Sequence, residues 1–235
     1  MKILELFAGS RSIGKMAESL GHEVFSIDIN DFENIDLAID ILVLNKEMIP
    51  FEPDMVWASP PCTYFSVASI GKHWNPDHTP KSENALLGMK ILEKTIEIIS
   101  WYSDPLYFIE NPRGKMRKKI DDIAKKYQLN NFTRETVFYC KYGDSRAKTT
   151  DLWTNNSKTI FNPNGWIPRP LCKNYKYDAD GNIIDRHCHH ESARRGASTG
   201  TQGLKGNYER SKIPTELCRE ILESINRVND KPLKK

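Results

Sequence analysis

Val56-Trp57-Ala58-Ser59-Pro60-Pro61-Cys62-Thr63-Tyr64-Phe65-Ser66 is the stretch on which the reading of the fold turns. The run from Asp54 to Ala58 predicts a short buried strand, and two prolines stop it. Each proline fixes φ and removes an N–H donor, so the chain leaves the strand on a stiff, extended path. Cys62 follows at once. In open α/β sheets ligands sit outside the carboxyl ends of the strands. The spacing therefore puts a thiol on rigid backbone at a ligand-binding edge, placed to attack.

Working upstream, residues 1–7 predict a first strand that ends in Phe7-Ala8-Gly9-Ser10-Arg11-Ser12-Ile13-Gly14 and enters a helix running to about Leu20. A strand, a glycine-containing turn and a helix present backbone N–H groups to a nucleotide-like ligand. Glu23 to Asp28 reads as strand two with an acid at its tip. That acid suits ribose hydroxyls, and a turn or capping aspartate has the same signature. Asp36 to Leu42 reads as strand three or its exit loop, with Asp40 near the sheet edge.

Downstream, residues 63–82 lack periodicity, and a loop of that length inside a domain is functional or mobile. Asn84 to Tyr102 predicts an amphipathic helix with Leu87, Ile91 and Ile98 on its apolar face. Pro105 to Ile109 is strand five, delivering Glu110-Asn111-Pro112. A basic helix from Met116 to Tyr127, a strand from Thr133 to Tyr139 and a turn and strand over 142–154 follow. Residues 155–205 are irregular, and a helix opens at Ile213-Pro214. The expected division is a catalytic and cofactor-binding domain over 1–154, a recognition lobe over 155–205 and a C-terminal helix within 206–235 packing back on the first domain.

The 235 residues fit one α/β domain with a small appendage. No apolar stretch approaches the ~18 residues needed to span a bilayer, and the N-terminus carries no signal-peptide pattern. Five scattered cysteines, an odd number, argue against a disulfide framework and for the reducing cytoplasm. Positive charge gathers at Lys115 to Lys119 and at Arg186, Arg194, Arg195, Lys205, Arg210 and Lys212. A basic face for phosphates and a set of solvated helix ends both account for it.

Cys62 and Glu110 stand apart from ordinary core cysteines and surface acids because proline-locked strand ends hold them; Cys140 and Cys218 sit in apolar contexts and read as packing. A nucleophilic thiol plus a carboxyl group beside a nucleoside-binding turn limits the chemistry. Carbon 5 of a pyrimidine does not accept a methyl group directly, but thiolate addition at C6 makes C5 nucleophilic. A carboxylic acid at N3 accepts the developing charge. S-adenosylmethionine would be the methyl donor.

The chain resembles the DNA (cytosine-5)-methyltransferase family. Phe7-Ala8-Gly9 is similar to its first cofactor motif, Pro61-Cys62 with Phe65-Ser66 to its nucleophile motif, Glu110-Asn111 to its Glu-Asn motif, and Arg146 with Lys148 to its Arg-x-Arg motif. The resemblance implies a Rossmann-like, class I S-adenosylmethionine-dependent methyltransferase sheet with a small irregular recognition lobe. It implies that Cys62 attacks C6, Glu110 engages N3 and the exocyclic amine, and Arg146 helps hold a base flipped out of double-stranded DNA. Phe7, Gly9, Ser10, Asp28, Ile29, Asp40, Ile41, Pro61 and Asn207 would line the cofactor site, with Ser211 the other residue for the last of these roles. A monomer in the cytoplasm, on the nucleoid when bound to DNA, and a place in restriction–modification complete the expectation.

The chain departs from the family pattern in three places. Ser10-Arg11-Ser12 replaces a glycine-rich turn, Pro112 replaces a valine, and Lys148 replaces an arginine whose planar fork lysine lacks. Cys172, His187, Cys188, His189 and His190 form a cluster of zinc-ligand types, of which Cys172, His187, Cys188 and His190 are the metal candidates. A polar DNA-facing loop has the same composition. Two rival readings stay open: an amino-methyltransferase acting on cytosine N4 or adenine N6, and a methyltransferase-like protein that binds nucleic acid without turnover.

Overall fold

The computed structural model describes residues 1–67, 70–160, 162–172, 176–177, 183–185 and 207–229, with backbone alone for 176–177, 183–185, 207 and 226–229. Its centre is a seven-stranded sheet of β1 (Lys2–Leu6), β2 (Glu23–Asp28), β3 (Leu37–Ala38), β4 (Met55–Ala58), β5 (Leu106–Pro112), β6 (Thr133–Phe138) and β7 (Thr149–Thr154). The strand order is β3-β2-β1-β4-β5-β7-β6. The first five in that order run parallel, while β7 is antiparallel to both its neighbours. This is the α/β, class I methyltransferase architecture that the motif order implied. The helices are α1 (Ser12–Ser19), α2 (Ile70–His73), α3 (Glu83–Ser100), α4 (Ile120–Lys126), α5 (Asn207–Ser211) and α6 (Thr215–Asn229). A small hairpin pairs β8 (Lys176–Tyr177) with β9 (Ile183–Asp185).

Period-two alternation sorts the strand residues to two faces. Leu4, Leu6, Val56, Ala58, Tyr107 and Ile109 pack against Ile91, Leu92, Ile96 and Ile99 of α3 and Ile120 and Ile123 of α4. Ile3, Met55, Trp57, Phe108 and Leu152 pack on the other face against Ile13 and Met16 of α1 and Leu217, Ile221 and Leu222 of α6. The last helix thus closes back on the first. Its sulfur-bearing Cys218 is fully buried there, as packing.

The structure changes four element readings. Leu87 is exposed, because Gly88, Ile91, Thr95 and Ile99 form the buried stripe of α3 and Leu87 lies beside it. The expected basic helix is a 3₁₀ turn, Lys115–Lys118, followed by the short α4. Within residues 63–82, a 3₁₀ turn at Cys62–Tyr64 and α2 supply order. The strand expected to end at Ile109 runs on through Pro112, so Glu110 sits inside a paired strand.

That extension depends on a buried ion pair. Asp151 of β7, opposite Asn111 in register, is fully buried and accepts hydrogen bonds from Arg117 and from Thr136 Oγ1. Removing one partner of such a pair strands a charge away from water. Arg117→Met should therefore cost about 3 kcal/mol, read as a lower urea midpoint with an unchanged slope.

Candidate active site

Four strand ends meet at the carboxyl edge of the sheet: the β1–α1 turn with the tip of β2, the chain after β4, and the end of β5. Pro61, at φ −53°, sends the chain into the 3₁₀ turn that begins at Cys62. Asn111 Nδ2 of β5 donates to the Pro60 carbonyl at 2.8 Å, which ties the nucleophile segment to the strand carrying Glu110. Further on, Lys115 N–H donates to the Phe65 carbonyl at 2.8 Å, and Trp74 Nε1 donates to the Tyr64 carbonyl at 2.7 Å. Cys62 itself is partly exposed, so the thiol is presented on a loop pinned from both sides.

Two glycines make the pinning possible. A Cβ on Gly88 of α3 would come within 2.6 Å of Tyr64 Cβ, and one on Gly114 within 2.2 Å of the Phe65 carbonyl oxygen. The second collision is with backbone and cannot be relieved by a rotamer. Gly114→Ala should push the Cys62 loop off β5 and lower turnover on the order of 10- to 100-fold. A small change in melting temperature beside that loss would place the defect in the loop.

Glu110 is buried and pairs across the sheet with Leu152. By alternation with Phe108 it faces the α1 and α6 side. Tyr139, just past β6, donates its hydroxyl to Glu110 Oε1 at 2.9 Å. Lys148 Nζ lies 3.7 Å from the same oxygen and 4.6 Å from the centre of the Tyr139 ring, and it donates to the Arg210 carbonyl at 3.3 Å. Burial pushes the Cys62 thiol up, the Glu110 charge pushes it further, and Lys148 and Arg210 pull it back. Thiol, carboxylate and ammonium thus form one electrostatic unit.

Arg146 is arranged differently. Its Nε and backbone N–H both donate to Asp144 Oδ1 at 2.8 Å, and the guanidinium reaches the Lys212 carbonyl at 3.5 Å. The cation that meets Glu110 is Lys148. Tyr139 was absent from the residues singled out in the sequence. Its period-two relation to Val137, which aims both inward, was the available signal.

At the neighbouring strand ends, Gly9 adopts φ +49° and its N–H donates to Asp28 Oδ2 at 3.0 Å. Asp28 Oδ1 accepts from the Asn30 N–H at 2.9 Å. Ser10 and Ser12 hydroxyls bond at 2.9 Å, and Ser12 Oγ accepts the Ile213 N–H at 3.1 Å. A Cβ on Gly9 would lie 3.5 Å from Ser211 Oγ, so the C-terminal segment closes on this turn. Arg11, where a glycine was expected, turns inward in a left-handed conformation; Nε donates to Ser26 Oγ at 3.0 Å and the guanidinium pairs with Glu18. Beneath it, burial pushes Glu5 from the ordinary 4.5 up to about 7, against hydrogen bonds from Gly14 N–H and Ser26 Oγ. That contribution to stability is complete below 4.5 and fades as pH rises through about 7.

Asp40 accepts the Leu42 N–H at 2.9 Å and starts a 3₁₀ turn whose Ile41 is buried. Ile29 is exposed beside Asp28, and the rings of Phe32 and Tyr208 meet edge to face at 5.6 Å. Carboxylates at two strand tips and the exposed Ile29 beside them are what this edge offers a nucleoside, while the Gly9 N–H is taken by Asp28 and Ser211 lies over the turn. Phe7, Gly9, Ser10 and Asp28 come together directly, and the side chain of Asn207 lies outside the described residues. Cys172 is buried, while His187, Cys188, His189 and His190 lie outside the described residues, and no metal-ligand group of three occurs among those described.

No family model matches the chain. Over 233 residues, 95% of this chain and 99% of the relative, it is 29% identical to a Frog virus 3 (isolate Goorha) protein described as "Probable DNA (cytosine-5)-methyltransferase". Among solved structures, the methyltransferase EhMeth of Entamoeba histolytica superposes with a TM-score of 0.58, covering 98% of this chain and 99% of that one at 12% identity. The second likeness is one of fold.

Proposed function

We propose that this chain, 29% identical to the viral protein described as a probable DNA (cytosine-5)-methyltransferase, belongs to that family and methylates carbon 5 of cytosine in double-stranded DNA through a covalent bond from Cys62. The observation that carries the reading is that Asn111 of β5 ties the Cys62 turn to the strand bearing Glu110, with Lys148 3.7 Å from that carboxylate. An amino-methyltransferase needs acceptors for an exocyclic amine and has no task for a thiol. S-adenosylmethionine, when bound, supplies an electrophilic methyl group. Phe7, Gly9, Ser10, Asp28, Ile29, Asp40, Ile41 and Pro61 would hold it.

The chain's own groups then account for the rest. The Cys62 thiolate adds to C6, and the ring electrons it displaces are taken up at N3, where Glu110 supplies the proton or hydrogen bond. C5 becomes nucleophilic and bonds the methyl carbon, whose bond to the sulfonium sulfur breaks and leaves that sulfur a neutral thioether. Loss of the C5 proton to solvent and departure of the Cys62 thiolate restore the aromatic ring. A substrate hydrogen bond that takes up the Glu110 charge also removes part of what holds the thiol protonated. Nucleophile activation and base recognition are thus linked.

The target carbon is unreachable inside a duplex, so the base must be turned out at a cost of a few kcal/mol. Contacts to phosphate have to offset that. Lys119 stands over the Trp74 ring at 5.7 Å, next to the pinned Cys62 loop, and forms no ion pair among the described residues, whereas the buried Lys115 bonds His78 Nδ1 at 2.7 Å. The test is covalent capture: the protein with S-adenosylmethionine and 5-fluorocytosine DNA should give an adduct on the Cys62 peptide, because fluorine cannot leave as the C5 proton does. With labelled S-adenosylmethionine and unmodified DNA, methyl label on an exocyclic nitrogen, or none on the DNA, would overturn the proposal.

A further inference from the structure

We infer that Tyr139 is a positioning residue for methyl transfer, holding the Glu110 carboxylate in the one orientation that serves the base. This rests on the function proposed above. Tyr139 is fully buried, and its hydroxyl donates to Glu110 Oε1 at 2.9 Å. Burial and the Glu110 charge push its ionisation far above the ordinary range, so it stays a donor at any working pH. Among the described residues no hydrogen bond reaches Oε2, which leaves that oxygen for the pyrimidine edge.

The same ring carries the neighbouring cation. Lys148 Nζ sits 4.6 Å above Tyr139 and 3.7 Å from Oε1, a separation too long for a hydrogen bond. Tyr139 therefore stands between two opposite charges, bonding one through oxygen and seating the other on its π face. Without the hydroxyl, the carboxylate loses the one close donor on Oε1 found among the described residues and is drawn to Lys148. Oε2 then turns away from the base.

Phenylalanine keeps the ring, the packing and the cation seat and deletes one oxygen. Tyr139→Phe should lower the rate of adduct formation on 5-fluorocytosine DNA on the order of 10- to 100-fold. KM for S-adenosylmethionine and the melting temperature should stay at wild-type values. The decisive arm is a double-mutant cycle: in a Glu110→Gln background the same substitution should have no further effect, because the group through which it acts is gone. Equal loss in both backgrounds, or none in either, overturns the inference while leaving the function intact. Absence of any wild-type adduct overturns the function itself.

Discussion

Cys62→Ala should end methyl transfer and covalent capture together, a fall on the order of 10⁴-fold or more. The fold should survive, because Cys62 holds its loop through backbone alone: its carbonyl accepts the Phe65 and Ser66 N–H groups at 3.0 and 2.8 Å. Thermal melts of the two proteins should superimpose. The wild-type thiol is held up by burial and by Glu110, so the protonated form dominates at neutral pH and the thiolate fraction grows with alkalinity. Alkylation of Cys62 by iodoacetamide, followed on its own peptide by mass spectrometry, should accelerate about tenfold per pH unit through that range. A rate already flat at pH 7 would mean the thiol is ionised at rest.

Glu110→Gln should move two measurements in opposite directions. Methyl transfer should drop on the order of 10²- to 10⁴-fold, since an amide cannot deliver a proton at N3. Alkylation of Cys62 at a fixed pH should become faster, because the charge that raises the thiol has been removed. Lys148→Met supplies the opposite sign, taking away a cation that stabilises the thiolate and moving the alkylation midpoint to higher pH. A purely structural defect would slow both reactions in each variant. If alkylation slows in Glu110→Gln, carboxylate and thiol are not coupled as the geometry requires.

Local rules were legible in the chain where backbone chemistry leaves few options. Pro60 and Pro61 end β4 wherever the rest of the molecule goes, and the apolar run before them has to be buried. Period-two and period-3.6 patterns placed β1, β2 and α3 to within a residue or two, and the start of α6 likewise. The end of β5 escaped, because Glu110, Asn111 and Pro112 read as a turn when nothing pairs with them. They are a strand only because β7 comes back antiparallel and its Asp151 finds Arg117.

The sequence by itself determined that a cysteine just past one strand and a glutamate late in another would stand on one sheet beside a glycine turn, since each is set by residues within about ten positions. Tertiary structure alone decided which cation faces the glutamate, which ring holds it, and how the glycine-poor turn is filled. Arg146 and Lys148 are equivalent by spacing; Asp144, two residues away, takes the first, and the Tyr139 ring takes the second. Arg11 fits where a glycine was expected because Ser26 and Glu18 meet it inside. Such choices depend on partners brought together from separate strands and helices, whose distances no spacing along the chain records.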